Sequence, residues 1–484
     1  MPVRLRNFIQ WILLLTCFWL MACTTTTPMP TIALESCYPV SDLSARCGTL
    51  TVPENRSQPD ARTIDLFLAV LPATGSETKP DPLFFIPGGP GQSAVEVYAQ
   101  VASAFAQINQ NHDIVLLDQR GTGRSHPLDC PESEDDLNTE IDDAALRAYV
   151  SACADQLDAD LRFYTTTEAV ADLDEVRQAL GYQGINLYGA SYGTRAALAY
   201  LRRYPNQVRT VILDGVAPPQ FVLGQDSRRD GQRALDLMFE RCRTEAACNH
   251  HFPNLQAEFK TLLDRLQQSP RELRLAHPVS GEPIGLTFTQ EFFTQAVFRL
   301  LYSPELVSLL PLLIHTAYIE DDFSALAGQS LILADTTGIY QGMFYSVVCA
   351  EDVPFAGTMA VEDEVESYFA SALDPLRTAC EIWPHGEVPS DFHEPVSTDI
   401  PVLLLSGEAD PVTPPYYAEQ AAATLSNSMH LIAPGSGHIT MGRGCTPELT
   451  AAFIDDGRLG SLQRGCLENL QPPPFFINFA GPPP

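Results

Sequence analysis

Several short runs of this chain are apolar at nearly every position, and each one empties into a turn. They are Leu83-Phe84-Phe85-Ile86, Ile114-Val115-Leu116-Leu117-Asp118, Ile185-Asn186-Leu187-Tyr188, Val211-Ile212-Leu213-Asp214-Gly215, Pro401-Val402-Leu403-Leu404-Leu405 and Met429 to Ala433. Continuous apolar runs of strand length predict strands covered on both faces, as in a mostly parallel sheet with helices packed against it. Thr194 to Tyr204, rich in Ala and Leu and closed by Pro205, predicts a helix. From about Ala217 to Thr398 the period changes, and Gln232 to Arg241 and Leu255 to Leu266 carry apolar residues at helical spacing. The strand runs stop before that stretch and resume at Pro401, so it reads as a large, mainly helical insertion in an α/β core. A chain of 484 residues has room for one large domain with an insertion, or for two domains. No internal repeat is visible.

The turn after Tyr188 carries the chemistry. Gly189-Ala190-Ser191-Tyr192-Gly193 has the form G-x-S-x-G between a strand and a helix. So abrupt a turn needs a strained backbone, for which the flanking glycines leave room, and it lifts the Ser191 hydroxyl above the sheet edge. A serine hydroxyl needs a base, an orienting carboxylate and donors for an oxyanion before it acts as a nucleophile. Candidates for all three lie at the ends of other runs. Asp410 closes Ser406-Gly407-Glu408-Ala409-Asp410, and His438 closes Pro434-Gly435-Ser436-Gly437-His438. The carboxyl ends of strands are where such sheets place their sites. His430 is a competing base, but it lies inside a strand run. Pro87-Gly88-Gly89-Pro90-Gly91 can bring N–H groups close to a ligand, so the N–H groups of Gly89 and Tyr192 are the candidate oxyanion donors. Asp118 and Arg120 are expected to pair with each other or with backbone. Each residue also has a plainer reading (an inert turn serine, a solvated or capping aspartate, a structural histidine). Order, spacing and placement together favour the catalytic one.

Gly88-Gly89-Pro90-Gly91, Asp118-Gln119-Arg120-Gly121, Gly189-Ala190-Ser191-Tyr192-Gly193, Asp410 before Pro411-Val412-Thr413-Pro414, and Gly437-His438 occur in that order. In this the chain resembles the secreted tripeptidyl and prolyl aminopeptidase-like α/β-hydrolases, relatives of the proline iminopeptidases, from Cys37 to Leu470. One position departs from the pattern: many iminopeptidases have His where Pro87 stands. The resemblance implies an α/β-hydrolase fold with a mostly parallel sheet, its core in two parts, 37–216 and 399–470, and a cap over 217–398. It implies no cofactor and no metal, a peptide substrate with a free N-terminus, and release of N-terminal residues or short peptides, with a preference for proline as one form. It also points to Glu351 and Asp352, which end the cap stretch Ser346-Val347-Val348-Cys349-Ala350-Glu351-Asp352, as acids placed to receive the substrate ammonium. A carboxylesterase or lipase of the same fold is the alternative enzyme. A catalytically inactive binding lipoprotein is a third reading, which the intact Ser191, Asp410 and His438 disfavour.

Arg4 and Arg6 precede an apolar run from Phe8 to Met21, and the segment ends Leu20-Met21-Ala22-Cys23. That pattern reads as an export signal, the run being short for a spanning helix. It resembles a bacterial lipoprotein processing site. Residues 1–22 are then the signal peptide, Cys23 the lipidated residue, and 23–36 a Thr- and Pro-rich tether. The protein is expected on the periplasmic face or cell surface; an uncleaved anchor and an ordinary secretory signal are the alternatives. Of the 12 cysteines, Cys17 falls in the signal. Those beyond Cys23 form sequence-local couples: Cys37 with Cys47, Cys130 with Cys153, Cys242 with Cys248, Cys349 with Cys380, Cys445 with Cys466. An even number in an exported chain suggests disulfides. Spacing does not fix connectivity, and nearest-neighbour pairing is expected because short loops close readily. His250-His251 reads as an exposed loop pair. The net charge of −31 would repel phosphates and excludes nucleic acid as a partner. The Pro-rich tail, 471–484, is expected to lie extended on the surface.

Overall fold

The computed structural model describes residues 31–40, 43–130, 142–335, 338–357 and 366–482. The expected signal peptide, Cys17 and Cys23 lie outside them. The strands are β1 (Glu35–Cys37), β2 (Ala45–Pro53), β3 (Thr63–Leu71), β4 (Leu83–Ile86), β5 (Ile114–Leu117), β6 (Ile185–Ala190), β7 (Val208–Asp214), β8 (Arg271–Ala276), β9 (Pro283–Phe288), β10 (Val402–Gly407) and β11 (Ser428–Ala433). Nine of them form one sheet in the order β1-β2-β3-β5-β4-β6-β7-β10-β11. From β5 to β11 neighbours run parallel, and the β1, β2, β3, β5 half is antiparallel.

The parallel strands β4, β5, β6 and β10 are buried at every position, which is why they read as unbroken apolar runs. Alternate side chains of β4 enter different clusters. Phe84 and Ile86 pack with Leu173, Ala196 and Leu198 on one face, and Leu83 and Phe85 with Val95, Tyr98 and Phe453 on the other. These partners come from helices α1 (Ala94–Val101), α2 (Thr166–Ala179), α3 (Tyr192–Arg203) and, after the insertion, Thr446–Asp456. Strand β3 lacks the signature because exposed Thr63 and Asp65 interrupt its outer end.

Between β7 and β10 the chain forms α4 (Ser227–Thr244), α5 (Leu255–Gln268), the β8–β9 hairpin, α6 (Gln290–Leu300) and α7 (Gln341–Glu351). This insertion has its own core, in which Leu235, Met238, Phe259, Phe293 and Val297 are buried. The hairpin departs from the helical expectation. In β8 exposed and half-buried residues alternate, the period of a strand with one wet face.

Two further expectations are amended by the structure, and one holds. The tail lies mostly at the surface, with Phe479 68% exposed, but it is anchored there: Phe475 is 0% exposed and belongs to the insertion's core. The Arg241 guanidinium sits 3.9 Å from its ring centre, and Phe476 N–H donates to the Ser308 carbonyl at 2.9 Å. Burying such a ring is worth about 1.5–3 kcal/mol, so the tail straps core to insertion. His250 and His251 are exposed, but they end a short helix, Ala246–His251, instead of lying in a loop. All five expected cysteine couples are disulfides, as fits an exported chain. Among the described residues no helix is long and apolar enough to cross a membrane.

Candidate active site

The strain expected at the elbow falls on Ser191 itself, with φ 53° and ψ −123°. A non-glycine residue held there costs about 1–3 kcal/mol and persists only where its surroundings enforce it. Here the Ser191 N–H donates to the Asp214 carbonyl at 2.8 Å. The flanking glycines serve close packing. A Cβ on Gly189 would lie 2.3 Å from the Gly193 carbonyl oxygen, and one on Gly193 would lie 2.2 Å from that of Ile86. A side chain at either position would push the elbow off the sheet.

Sheet register gathers the other groups at the same edge. Ala190 and Leu405 both flank Asp214, and Gly407 lies beside Ala433. The loops that follow β10 and β11 therefore start level with the elbow. Asp410 is fully buried in the first loop, and His438 Nδ1 lies 2.8 Å from its Oδ2. The N–H groups of Val412 and Thr413 donate to Oδ1, each at 2.8 Å, and Thr413 Oγ1 donates to Oδ2 at 2.9 Å. Burial alone would raise the Asp410 pKa, but the His438 charge and these donors hold it below the usual carboxylate range. Burial would likewise lower the imidazole, and the Asp410 charge and hydrogen bond raise it above its ordinary value. With Nδ1–H committed to Asp410, Nε2 is left as the basic nitrogen. His430 is elsewhere engaged, with Nε2 2.9 Å from Ser406 Oγ inside the sheet.

The Pro87–Gly91 loop runs against the serine: a Cβ on Gly88 would lie 3.0 Å from Ser191 Cβ. Tyr192 is the first residue of α3, whose first-turn N–H groups have no acceptor within the helix. The loop that carries Gly89 thus packs on the serine through Gly88, and Tyr192 opens the helix at its positive end.

Three supporting residues escaped sequence reasoning. The Asp214 carboxylate accepts from Thr440 N–H at 2.9 Å and Met441 N–H at 2.8 Å, so one residue ties both the elbow and the histidine loop. Thr413 braces Asp410. Tyr302, from the insertion, accepts the His438 N–H on its carbonyl at 2.9 Å and sets its ring edge-on to the imidazole, 5.5 Å between centres. Only Asp214 had a signal, its place at a buried strand's carboxyl end.

Asp118 and Arg120 do not pair with each other. Asp118 accepts from Ser93 Oγ at 2.7 Å and from the N–H groups of Val95 and Arg124. Arg120 forks onto Asp172 at 2.6 and 2.8 Å and donates to the Glu54 and Phe163 carbonyls. The cap acids also face differently from expectation. Asp352 is 1% exposed and closed in a two-point ion pair with Arg195, at 2.9 and 3.1 Å. Glu351 is 0% exposed, and both its oxygens accept from Thr166. Neither carboxylate is presented to a substrate ammonium, because buried donors already fill it.

A family model for the alpha/beta hydrolase fold matches residues 81–442. The chain is 27% identical over 459 residues to serine protease Hip1 of Mycobacterium tuberculosis strain H37Rv, covering 85% of each chain. It is 31% identical over 191 residues to the tripeptidyl aminopeptidase of Streptomyces coelicolor, 36% of this chain and 35% of that one. Over 466 residues it is 28% identical to carboxylesterase B of Mycobacterium tuberculosis strain CDC 1551, 87% of this chain and 86% of that one. With its parallel sheet, its serine elbow and these relatives, the chain belongs to the α/β-hydrolase fold family, among the tripeptidyl aminopeptidase-like hydrolases.

Proposed function

We propose that this protein is a serine exopeptidase that removes N-terminal residues or short peptides through an acyl-enzyme. The observation that supports it most is a strained Ser191 at the sheet edge that also carries the Asp410–His438 couple. In this reading Ser191 Oγ attacks the scissile carbonyl carbon and its proton passes to His438 Nε2. Asp410 holds the tautomer and stabilises the imidazolium. The Gly89 and Tyr192 N–H groups hold the oxyanion. His438 then protonates the leaving amine, and the same nitrogen activates the water that hydrolyses the acyl-enzyme and restores Ser191.

That chemistry serves amides and esters alike. The names of two relatives, serine protease and tripeptidyl aminopeptidase, support the peptidase. The 28% likeness to a carboxylesterase keeps the esterase as the second reading. A library of free and N-acetylated peptides, some with proline at the cleavage site, read by mass spectrometry separates them. Removing an ammonium from a buried carboxylate partner costs on the order of 3 kcal/mol, so acetylation should lower kcat/KM about 100-fold. Blocked peptides cleaved as fast as free ones would remove the aminopeptidase reading, and a library left uncut by an enzyme that turns over a short-chain acyl ester would promote the esterase. Since Glu351 and Asp352 are internally occupied, the group that receives the ammonium is to be sought elsewhere around the site.

We also propose that Cys23 carries lipid and holds the protein on a membrane surface. Two or more acyl chains give firm anchoring. Metabolic labelling with a fatty acid should mark the wild type and not Cys23→Ala. Equal labelling of both would remove the anchor.

A further inference from the structure

The residue after the nucleophile is wired to the insertion by its side chain. The Tyr192 hydroxyl lies 2.7 Å from Thr166 Oγ1, at the start of α2. The Thr166 N–H donates to Glu351 Oε1 at 2.6 Å and its hydroxyl donates to Oε2 at 2.7 Å. With that proton committed, Thr166 Oγ1 is the acceptor for Tyr192, so the chain runs in one direction, Tyr192 to Thr166 to Glu351. Glu351 is the last residue of α7. The insertion thus reaches through the core to the peptide unit that begins α3.

We propose that ionised Glu351 is a positioning residue for catalysis: through Thr166 it fixes Tyr192, and with it the N–H aimed at the oxyanion. This rests on the reading above that Tyr192 N–H binds the oxyanion. A carboxylate can accept both Thr166 donors. A carboxylic acid carries a proton on one oxygen and cannot accept at both as strongly, so protonation loosens the chain.

The surroundings make that proton exchangeable near neutrality. Burial pushes the Glu351 carboxyl up to about 7, against the pull of Arg195 and the two Thr166 donors and with a push from Asp352. Arg195 Nη1 lies 3.9 Å from Glu351 Oε2, but its charge is shared with Asp352. Burial raises the Tyr192 hydroxyl far above neutrality. Burial also lowers His393, whose Nδ1 is 2.7 Å from the Pro219 carbonyl.

The acid limb of the kcat/KM–pH profile tests this. His438 must lose one proton to act as a base. If Glu351 must lose one too, the wild-type limb steepens toward a slope of two. Glu351→Gln keeps the shape, cannot titrate, and sets a donor where Thr166 needs an acceptor. We expect a limb of slope one and kcat lowered about 10- to 100-fold at pH 8, with KM little changed. Thr166→Val cuts the same chain while leaving the carboxylate, and should lower kcat similarly; it decides the matter if Glu351→Gln does not fold. A wild-type slope of one, or either folded variant with wild-type kcat, overturns the proposal. Fluorophosphonate labelling of wild type and Ser191→Ala is run alongside. If Ser191 is not the labelled residue, it is the serine-hydrolase reading that fails.

Discussion

Ser191→Ala should abolish turnover while the protein folds as before. The Ser191 hydroxyl is the only nucleophile the elbow offers, and members of such a catalytic unit typically cost on the order of 10⁴- to 10⁶-fold when removed. Folding should survive because alanine tolerates the same backbone about as well as serine does. The positive φ is imposed by the Asp214 carbonyl and by the close approach of Gly189 to Gly193, not by the hydroxyl. Circular dichroism and the thermal midpoint should therefore match the wild type, and labelling by a fluorophosphonate should vanish. Residual activity within tenfold of wild type would remove Ser191 from the role of nucleophile.

What the sequence made legible follows from burial. A strand covered on both faces must be apolar throughout, so β4, β5, β6 and β10 announce themselves, and the ends of β6 and β10 locate Ser191 and Asp410; His438 follows the less buried β11. A strand with one wet face mixes polar residues in, and β3 and β8 were missed for that reason. The direction a side chain faces is not written in its type. Glu351 and Asp352 are acids in the insertion, as expected, yet both turn inward onto Thr166 and Arg195. Asp214, Thr413 and Tyr302 act through tertiary contacts across long sequence separations, which no local pattern records. The tail is mostly exposed, as its prolines suggest, but Phe475 anchors it in the insertion's core. Its adjacent pair, Phe475-Phe476, was the signal for that anchor.

The second large effect is expected at the Asp410–His438 couple, and its direction with pH is fixed. Asp410→Asn should lower kcat about 10⁴-fold, because an amide in place of the carboxylate no longer selects the tautomer with a bare Nε2. His438→Ala should be at least as severe, and neither change should add much to Ser191→Ala. His430→Ala should leave activity near wild type; if it is the more damaging change in a folded protein, the base has been misassigned. In the wild type the imidazole pKa is raised by the Asp410 charge. Activity should therefore fall with pH through an inflection above the ordinary value of about 6.5. Asp410→Asn should move the His438 part of that inflection down. Stability has the opposite dependence. A raised imidazole pKa stabilises the fold fully below the unfolded value and loses that contribution as pH rises through the folded one. The depressed Asp410 pKa contributes above the unfolded carboxylate value of about 3.9, and loses it as pH falls through the folded one. Asp410→Asn should accordingly cost more stability between about pH 4 and 6.5 than at pH 9, while its activity defect persists at pH 9. Denaturant midpoints and kcat measured across that range check both halves. An activity defect that disappears at high pH would mean that Asp410 only tunes the His438 pKa and does not orient the ring.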